Sequence, residues 1–442
     1  MYYIGIDIGT SSICGIAYNF ETKASITIVR KNTTGLSADN QWEKMQDADR
    51  IWMIVKEILL EFQKRCDDIK GIGVTGQMHG ILYTDERGEA VSPLYTWQDG
   101  RGNLIYKNEE NYADYLSRIS GYRMATGYGL VTHFYNQCNG NVPAGACKLC
   151  TVMDYVTMRL CRRNFPLTDT SNAAGLGLFD KERLCFDVPT CESVGIHKEM
   201  LPEVVPSKTL VGYYGDIPVY VAIGDNQAAY LGAVRDLQHS VHLTVGTSSQ
   251  ISVYSERYVE VKGLDTRPFP GGGYLLVGAS LCGGVAFAML KDFFADVLRL
   301  FTGQQWNEAE LYQKMSSIPY QHDAENSLKV ETLFAGTRLQ PAKRGKIERI
   351  SLSNLTAGNL ISGFLEGISR ELYDFYQLLP DEIRRDKDQL LGSGNGIKKN
   401  VLLRNVLEEC FGMPLSLSAI QEEASLGACM CVGQLKNNHQ KI

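Results

Sequence analysis

Long apolar runs are missing from this chain. No stretch of its 442 residues approaches the length needed to span a bilayer, so a membrane-embedded protein is not expected. A basic tail or stripe is missing too. Lys and Arg number 44 against 50 Asp and Glu, and they are scattered. A formal net charge of −6 supplies no electrostatic reason to expect nucleic acid or an anionic membrane surface as partner. Low-complexity segments and long linkers are also absent, so the parts of the chain are expected to pack closely. The opening residues Met1 to Asp7 carry no basic region followed by an apolar stretch. They are expected to form a strand and not a signal peptide, which makes the cytoplasm the expected compartment.

Metal-binding spacing is scarce as well. Twelve cysteines are dispersed through the sequence, and Cys147-Lys148-Leu149-Cys150 is the only CxxC. No second CxxC or pair of histidines follows it, whereas a zinc site needs four ligands. Reduced, mostly buried thiols are the expectation.

What is present is enough chain for two domains. Hydrophobic residues at 44% and charged residues at 21% are ordinary for a globular protein. The first half begins with β-rich segments at 2–8, 13–19 and 25–30. An amphipathic helix is expected over 47–65, with Ile51, Ile54, Val55, Ile58, Leu59 and Phe62 at helical spacing. A strand from Ile69 to Thr75 and a turn at Asp85-Glu86-Arg87-Gly88 follow. In the second half, helical patterns lie near 284–301 and 357–379. The strand-like Gln389-Leu390-Leu391 then meets a loop, Gly392 to Gly396, with a helix expected to start near Lys398. The boundary is expected between the apolar helix Ala228 to Val234 and the strand beginning at Val241. That makes domains of 1–235 and 236–442, each an α/β layered unit, with a ligand cleft between them.

The most informative feature is a hairpin written twice. Ile6-Asp7-Ile8-Gly9-Thr10-Ser11-Ser12 and Leu243-Thr244-Val245-Gly246-Thr247-Ser248-Ser249 each run from an apolar strand into Gly-Thr-Ser-Ser and on into a second strand. Glycine lets such a turn approach a ligand closely, and successive N–H and hydroxyl groups can converge on an anion. Two copies, one per half, suggest two related domains gripping the phosphates of one nucleotide. Asp7 would normally repel phosphate. It becomes useful with Mg²⁺ between them, because that ion prefers oxygen ligands and keeps its water; the plainer alternative is an ordinary hairpin with Asp7 as a turn residue.

Three further groups carry chemistry. Gly224-Asp225-Asn226-Gln227-Ala228-Ala229 follows the apolar run Val219 to Ile223. There Asp225 sits at a strand–helix junction, placed either to cap the helix or to accept a proton from a hydroxyl attacking a γ-phosphate. Thr75-Gly76-Gln77-Met78-His79-Gly80, with Trp97-Gln98-Asp99-Gly100-Arg101 downstream, gathers amide, imidazole, carboxylate and guanidinium groups near an indole. That set suits a polyhydroxylated substrate, although a lone histidine beside glycines is more often structural. Gly392-Ser393-Gly394-Asn395-Gly396, with Lys399-Asn400 beyond, suits adenine or the flank of a phosphate, or is a plain turn.

Taken in this order, the segments resemble the FGGY carbohydrate kinases of the actin-like ATPase superfamily. The resemblance runs through Phe334-Ala335-Gly336-Thr337-Arg338, Leu365-Glu366-Gly367-Ile368 and Glu423-Ala424-Ser425-Leu426-Gly427-Ala428, and so covers nearly the whole chain. It implies two ribonuclease-H-like domains, ATP and Mg²⁺, and transfer of the γ-phosphoryl group to a sugar hydroxyl. By resemblance, Asp225 matches the catalytic base and Asp7, with Asp225, the Mg²⁺-linked carboxylates. Gln77, Met78, His79, Asp99, Arg101 and Asn226 fall in the sugar-binding segments. Gly9, Thr10, Ser11 and Ser12 match one phosphate turn, and Gly246, Thr247 and Ser248 the other. Gly394, Asn395 and Asn400 match the adenosine region. Gln-Met-His-Gly resembles ketose kinases, and the run Tyr128 to Tyr135 resembles sedoheptulokinase-like members. Ser393 and Asn395 interrupt what is often an all-glycine adenosine loop.

Sedoheptulose is therefore the expected acceptor, with D-xylulose or another ketose as the alternative. A nucleotide-gated binding protein or a sugar sensor is the more distant rival. Against it stand the intact Asp7, Asp225 and paired turns, and the end of the chain soon after Gly433-Gln434-Leu435-Lys436. The oligomeric state is left open, a homodimer included.

Overall fold

The computed structural model describes residues 1–320, 326–337, 340, 342–418 and 420–434. Arg338 of the Phe334–Arg338 motif, and Leu435 and Lys436 near the chain end, lie outside the described residues. The chain forms two compact units. The first takes Met1–Gly232, Arg267–Gly273 and Ile420–Ile442; the second takes Ala233–Thr266 and Tyr274–Ala419.

In the first unit, β1 (Tyr2–Ile8), β2 (Ser12–Tyr18) and β3 (Ser25–Lys31) make an antiparallel meander. Ile4, Ile6 and Ile8 are wholly buried, each worth about 1.5–3 kcal/mol relative to exposure. Helix α1 (Ala48–Arg65) follows where the spacing predicts it. Asp47 caps it by accepting the Arg50 N–H at 3.0 Å. Its apolar face, Ile51, Val55, Ile58, Leu59 and Phe62, joins the sheet's core. Strand β4 (Ile69–Gly76) then lies parallel to β1, with Asp7 opposite Thr75 and Ile8 opposite Gly76.

Between β4 and the next sheet strand the chain makes a long excursion. It includes α2 (Gly129–Cys138) and α3 (Val152–Leu160). Part of it encloses a second core around Tyr83, Leu116, Leu130, Val131 and Phe134, while Val152, Tyr155 and Val156 of α3 join the sheet's own core. Cys147 is exposed and Cys150 buried, at either end of a short strand that pairs with residues 82–84, and none of the twelve cysteines is in a disulfide. The sheet is completed by β5 (Leu210–Tyr214) and β6 (Ile217–Tyr220), giving the order β5-β6-β4-β1-β2-β3. The strand expected over 219–223 leaves the ladder after Tyr220. Its continuation still bonds sideways, Val221 N–H to Thr209 and Ile223 N–H to Val74. Helix α4 (Asp225–Ala233) begins two residues later.

The second unit repeats the plan. Strands β7 (Ser240–Val245), β8 (Ser249–Ser255) and β9 (Tyr274–Ser280) are antiparallel. Helices α5 (Gly284–Thr302) and α6 (Ala357–Gln377) follow as the patterns predict. Strand β10 (Gln389–Ser393) pairs parallel with β7. The loop expected over 392–396 is not one. Gly392 and Ser393 end the strand, α7 (Gly394–Lys399) opens at once, and α8 (Val401–Phe411) starts after Asn400. Strand β11 (Leu415–Leu417) closes the row β9-β8-β7-β10-β11 at one edge, and a short strand, Asp265–Pro268, extends it beyond β9 at the other. Its core joins Val241, Leu243 and Ile251 to Phe364, Ile368 and Leu372 of α6 and Val406 of α8.

Helix α9 (Glu423–Gly433) returns to the first unit and lies on β1 and β4. The approach is close enough that a Cβ on Gly5 would sit 1.8 Å from the Ser425 carbonyl oxygen. Only glycine fits beneath that helix. Each unit thus holds three antiparallel strands continued by two parallel ones, the ribonuclease-H-like arrangement that the resemblance implied.

Candidate active site

In the first unit, three segments meet at the C-terminal ends of parallel strands, where open α/β sheets present ligand groups. Asp7 lies one residue before the end of β1, opposite Thr75. The Gln77 N–H donates to the Ile8 carbonyl at 2.9 Å, and the Thr75 hydroxyl donates to the Ile223 carbonyl at 2.8 Å. Met78, buried, packs on Gly224, its sulfur 2.8 Å from where a Cβ there would stand. The phosphate-turn strand, the Gln-Met-His-Gly segment and the start of α4 are therefore neighbours.

Asp225 is the first residue of α4, not the residue before it, and it is partly exposed. Its carboxylate accepts the Asn226 N–H at 2.6 Å, and the Asn226 side-chain oxygen is buried without a hydrogen-bond partner. Asp7 holds its proton far above the usual carboxylate range, up to about 7. Burial is the largest cause, and the negative charges of Asp225 and Glu422 add to it. Glu422, the residue just before α9, was not singled out from sequence. Only its neighbour Glu423 stands in the quoted motif, and nothing local shows that a helix from the far end of the chain brings a third carboxylate to Asp7.

The first Gly-Thr-Ser-Ser turn is braced by side chains. Asn32 Nδ2 donates to the Gly9 carbonyl at 2.9 Å, and the Asn32 N–H to the Ser11 carbonyl at 2.9 Å. The Thr10 hydroxyl accepts Trp97 Nε1–H at 3.0 Å and lies 3.5 Å from Gln77 Oε1. Thr10 and Gln46 line a cavity of about 400 Å³ with Lys44, Thr96 and Gln98.

His79 has a left-handed backbone, φ +76°, uncommon for a non-glycine residue. Its ring stacks on Tyr128, centroids 4.9 Å apart and 5° between planes. Nδ1 lies 2.6 Å from the Gly175 carbonyl oxygen. A carbonyl can only accept, so Nδ1 carries the proton.

Asp99 and Arg101 are brought together but turned inward, with 0% and 3% of their surface exposed. Arg101 Nε donates to Asp99 Oδ1 at 2.6 Å, and Nη1 to Asn136 Oδ1 at 2.5 Å. Its guanidinium also lies 4.1 Å from the Tyr95 ring centroid. Asp99 Oδ2 accepts the Lys44 N–H at 3.0 Å. Their hydrogen bonds hold the segment carrying Trp97 and Gln98.

In the second unit, the turn is braced by backbone. The Gly283 and Val285 N–H groups donate to the Thr247 carbonyl at 3.0 and 3.1 Å, and the Gly284 N–H to the Gly246 carbonyl at 2.8 Å. The Gly246 N–H donates to the Ser248 carbonyl at 2.9 Å. Gly394 and Asn395 open α7 beside this turn; a Cβ on Gly394 would stand 2.5 Å from the Val245 carbonyl oxygen. Asn400 is buried and caps α8, accepting the Leu403 N–H at 3.1 Å.

The comparisons agree with this geometry. Residues 2–232 match the FGGY family of carbohydrate kinases, N-terminal domain. A sedoheptulokinase of Mus musculus is 27% identical over 480 residues, covering 98% of this chain and 97% of the relative. The Homo sapiens sedoheptulokinase is 26% identical over 475 residues, covering 97% and 96%. Among solved structures, a xylulose kinase from Rhodospirillum rubrum superposes with a TM-score of 0.83 at 20% identity, covering 98% of this chain and 90% of that one. A gluconate kinase from Lactobacillus acidophilus gives 0.82 at 21% identity, covering 98% and 89%. These two show the fold. Among the described residues no helix is long and apolar enough to cross a membrane.

Proposed function

Since the chain belongs to the FGGY family of carbohydrate kinases, and is thereby an enzyme that moves a phosphoryl group from ATP to a sugar, we propose that its acceptor is sedoheptulose and its product sedoheptulose 7-phosphate. The observation that carries this reading is the near end-to-end likeness to two sedoheptulokinases, at 27% and 26% identity.

Asp225 is the proposed general base. It stands partly exposed at a strand–helix junction beside the Gln77–His79 segment, placed to take the proton of the attacking hydroxyl. His79, held by Tyr128 and by the Gly175 carbonyl with Nδ1 as its donor, is a proposed sugar contact. Gln77 and Asn226 are proposed sugar contacts. Met78, Asp99 and Arg101, all buried, serve that pocket by fixing its walls. The Gly9–Ser12 and Gly246–Ser248 turns are proposed phosphate holders, each within its own unit, and Gly394, Asn395 and Asn400 the adenosine region.

The carboxylates fit Mg²⁺. Asp7 holds its proton up to about 7 because burial and two nearby acids crowd it with negative charge, which a divalent cation would relieve. Asp7 and Asp225 would hold the ion, which when bound with ATP neutralises charge on the transferring phosphoryl oxygens.

The alternative acceptor is D-xylulose, since Gln-Met-His-Gly is read as a ketose-kinase feature common to both groups. Comparing kcat/KM for sedoheptulose, xylulose and ribulose at one ATP concentration, with product mass detected, decides between them. A xylulose preference replaces the proposed acceptor, and ATP consumption without any phosphoketose removes the ketose reading.

A further inference from the structure

The first phosphate turn is tied to the sugar segment by a closed ring of hydrogen bonds. Gln46 Nε2 donates to the Thr10 carbonyl at 3.0 Å. Gln77 Nε2 donates to Gln46 Oε1 at 2.8 Å. The Thr10 hydroxyl lies 3.5 Å from Gln77 Oε1, the longest link, and accepts Trp97 Nε1–H at 3.0 Å. Gln46 and Gln77 are 6% and 5% exposed.

Two one-way groups at the ends set every orientation. The Thr10 carbonyl can only accept, so the Gln46 amide must present its NH₂ there and its oxygen to Gln77. Gln77 must then turn its NH₂ to Gln46 and its oxygen to Thr10. The indole N–H can only donate, so Thr10 takes that bond on its oxygen and directs its own proton at Gln77. The Thr10 hydroxyl is thus committed to the sugar side of the turn, and the ring admits one arrangement.

We propose that Gln46, a residue outside the motifs, is a positioning residue that keeps the phosphate turn in register with the sugar segment. This rests on the kinase reading above. In-line transfer tolerates little misplacement, about 1 Å costing roughly 100-fold, and Gln46 spans the two segments whose spacing matters. It touches neither substrate in this role.

The test compares wild type with Gln46→Met, close in volume, and Gln46→Glu, which keeps the Gln77 link but sets an acceptor against the Thr10 carbonyl. Both are expected to lose kcat for the ketose by about 10- to 100-fold. The ketose KM should move less than about threefold, while the share of ATP lost to water rises. Unchanged kcat and coupling in Gln46→Met overturn the proposal, as does a loss that merely follows the unfolded fraction. Should the Gln46 variants fail to fold, Trp97→Phe, at a half-exposed position, removes the donor that fixes the Thr10 hydroxyl's orientation and should lower kcat by about 3- to 10-fold; no change there overturns it. A wild type that makes no phosphoketose defeats the kinase reading instead. The ring is then judged on Mg²⁺·ATP hydrolysis alone, a rate altered in Gln46→Met supporting it and an equal rate overturning it.

Discussion

The two Gly-Thr-Ser-Ser turns share strand order and sequence but are held in different ways. Around the first, side chains do the bracing: Asn32, Gln46, Trp97 and Gln77 come from four separate segments. Around the second, the N-terminal backbone of α5 does it, through the N–H groups of Gly283, Gly284 and Val285. The charge differs as well. Asp7 precedes the first turn where the uncharged Thr244 precedes the second. Under the proposed function the general base belongs to the first unit, the adenosine region to the second, and each unit supplies one phosphate turn.

The largest effect that would sharpen this contrast is Asp225→Asn. Phosphoryl transfer should fall by about 10²–10⁴-fold, while calorimetry shows ketose binding largely kept. Near-normal turnover would remove the chemical asymmetry between the units. Next comes the bracing itself. A Cβ on Gly283 would stand 2.5 Å from Ser248 backbone atoms, a clash that no rotamer relieves. Gly283→Ala should therefore weaken nucleotide binding by about 10- to 100-fold. Asn32→Ala removes side-chain support that Gln46 and Trp97 partly share, and should cost about 3- to 10-fold. Equal losses in the two variants would break the distinction.

A separate effect concerns pH and is read as stability, not as rate. The Asp7 carboxyl gives up its proton near pH 4 when unfolded but holds it up to about 7 when folded. Between those values the unfolded chain binds fewer protons, so metal-free stability falls as pH rises, on the order of a few kcal/mol in all. Thermal melts of Asp7→Asn should lose that slope and also the gain on adding Mg²⁺ and nucleotide. Thr244→Val, at the matching place in the second sheet, should leave the slope as in wild type.

Much of the fold was legible because its signals are local. The spacing of Ile51 through Phe62 placed α1 to within a residue. The doubled Gly-Thr-Ser-Ser pointed to two related units. The segment after Gln389 was misjudged because Gly-Ser-Gly-Asn-Gly has the composition of a loop. There Gly394 is needed for its close approach to Val245, and the helix starts on it. Asp99 and Arg101 read as ligands because they are charged and near an indole. Only the folded structure shows that they are buried and bonded to each other, with Arg101 also bonded to Asn136.

Sequence by itself determined the chemical inventory: several of the main strands and helices, that two hairpins correspond, and that acids stand at Asp7 and Asp225. Those depend on periodicity, caps and turn residues, which act over a few positions. Tertiary structure alone decided that Glu422 crowds Asp7 and that Gln46 closes a ring with Thr10 and Gln77. It also decided that α9, from the far end of the chain, covers Gly5. Each of these joins residues far apart along the chain. Their energies arise from burial and from the one-way direction of donors and acceptors, which exist only once the segments have met.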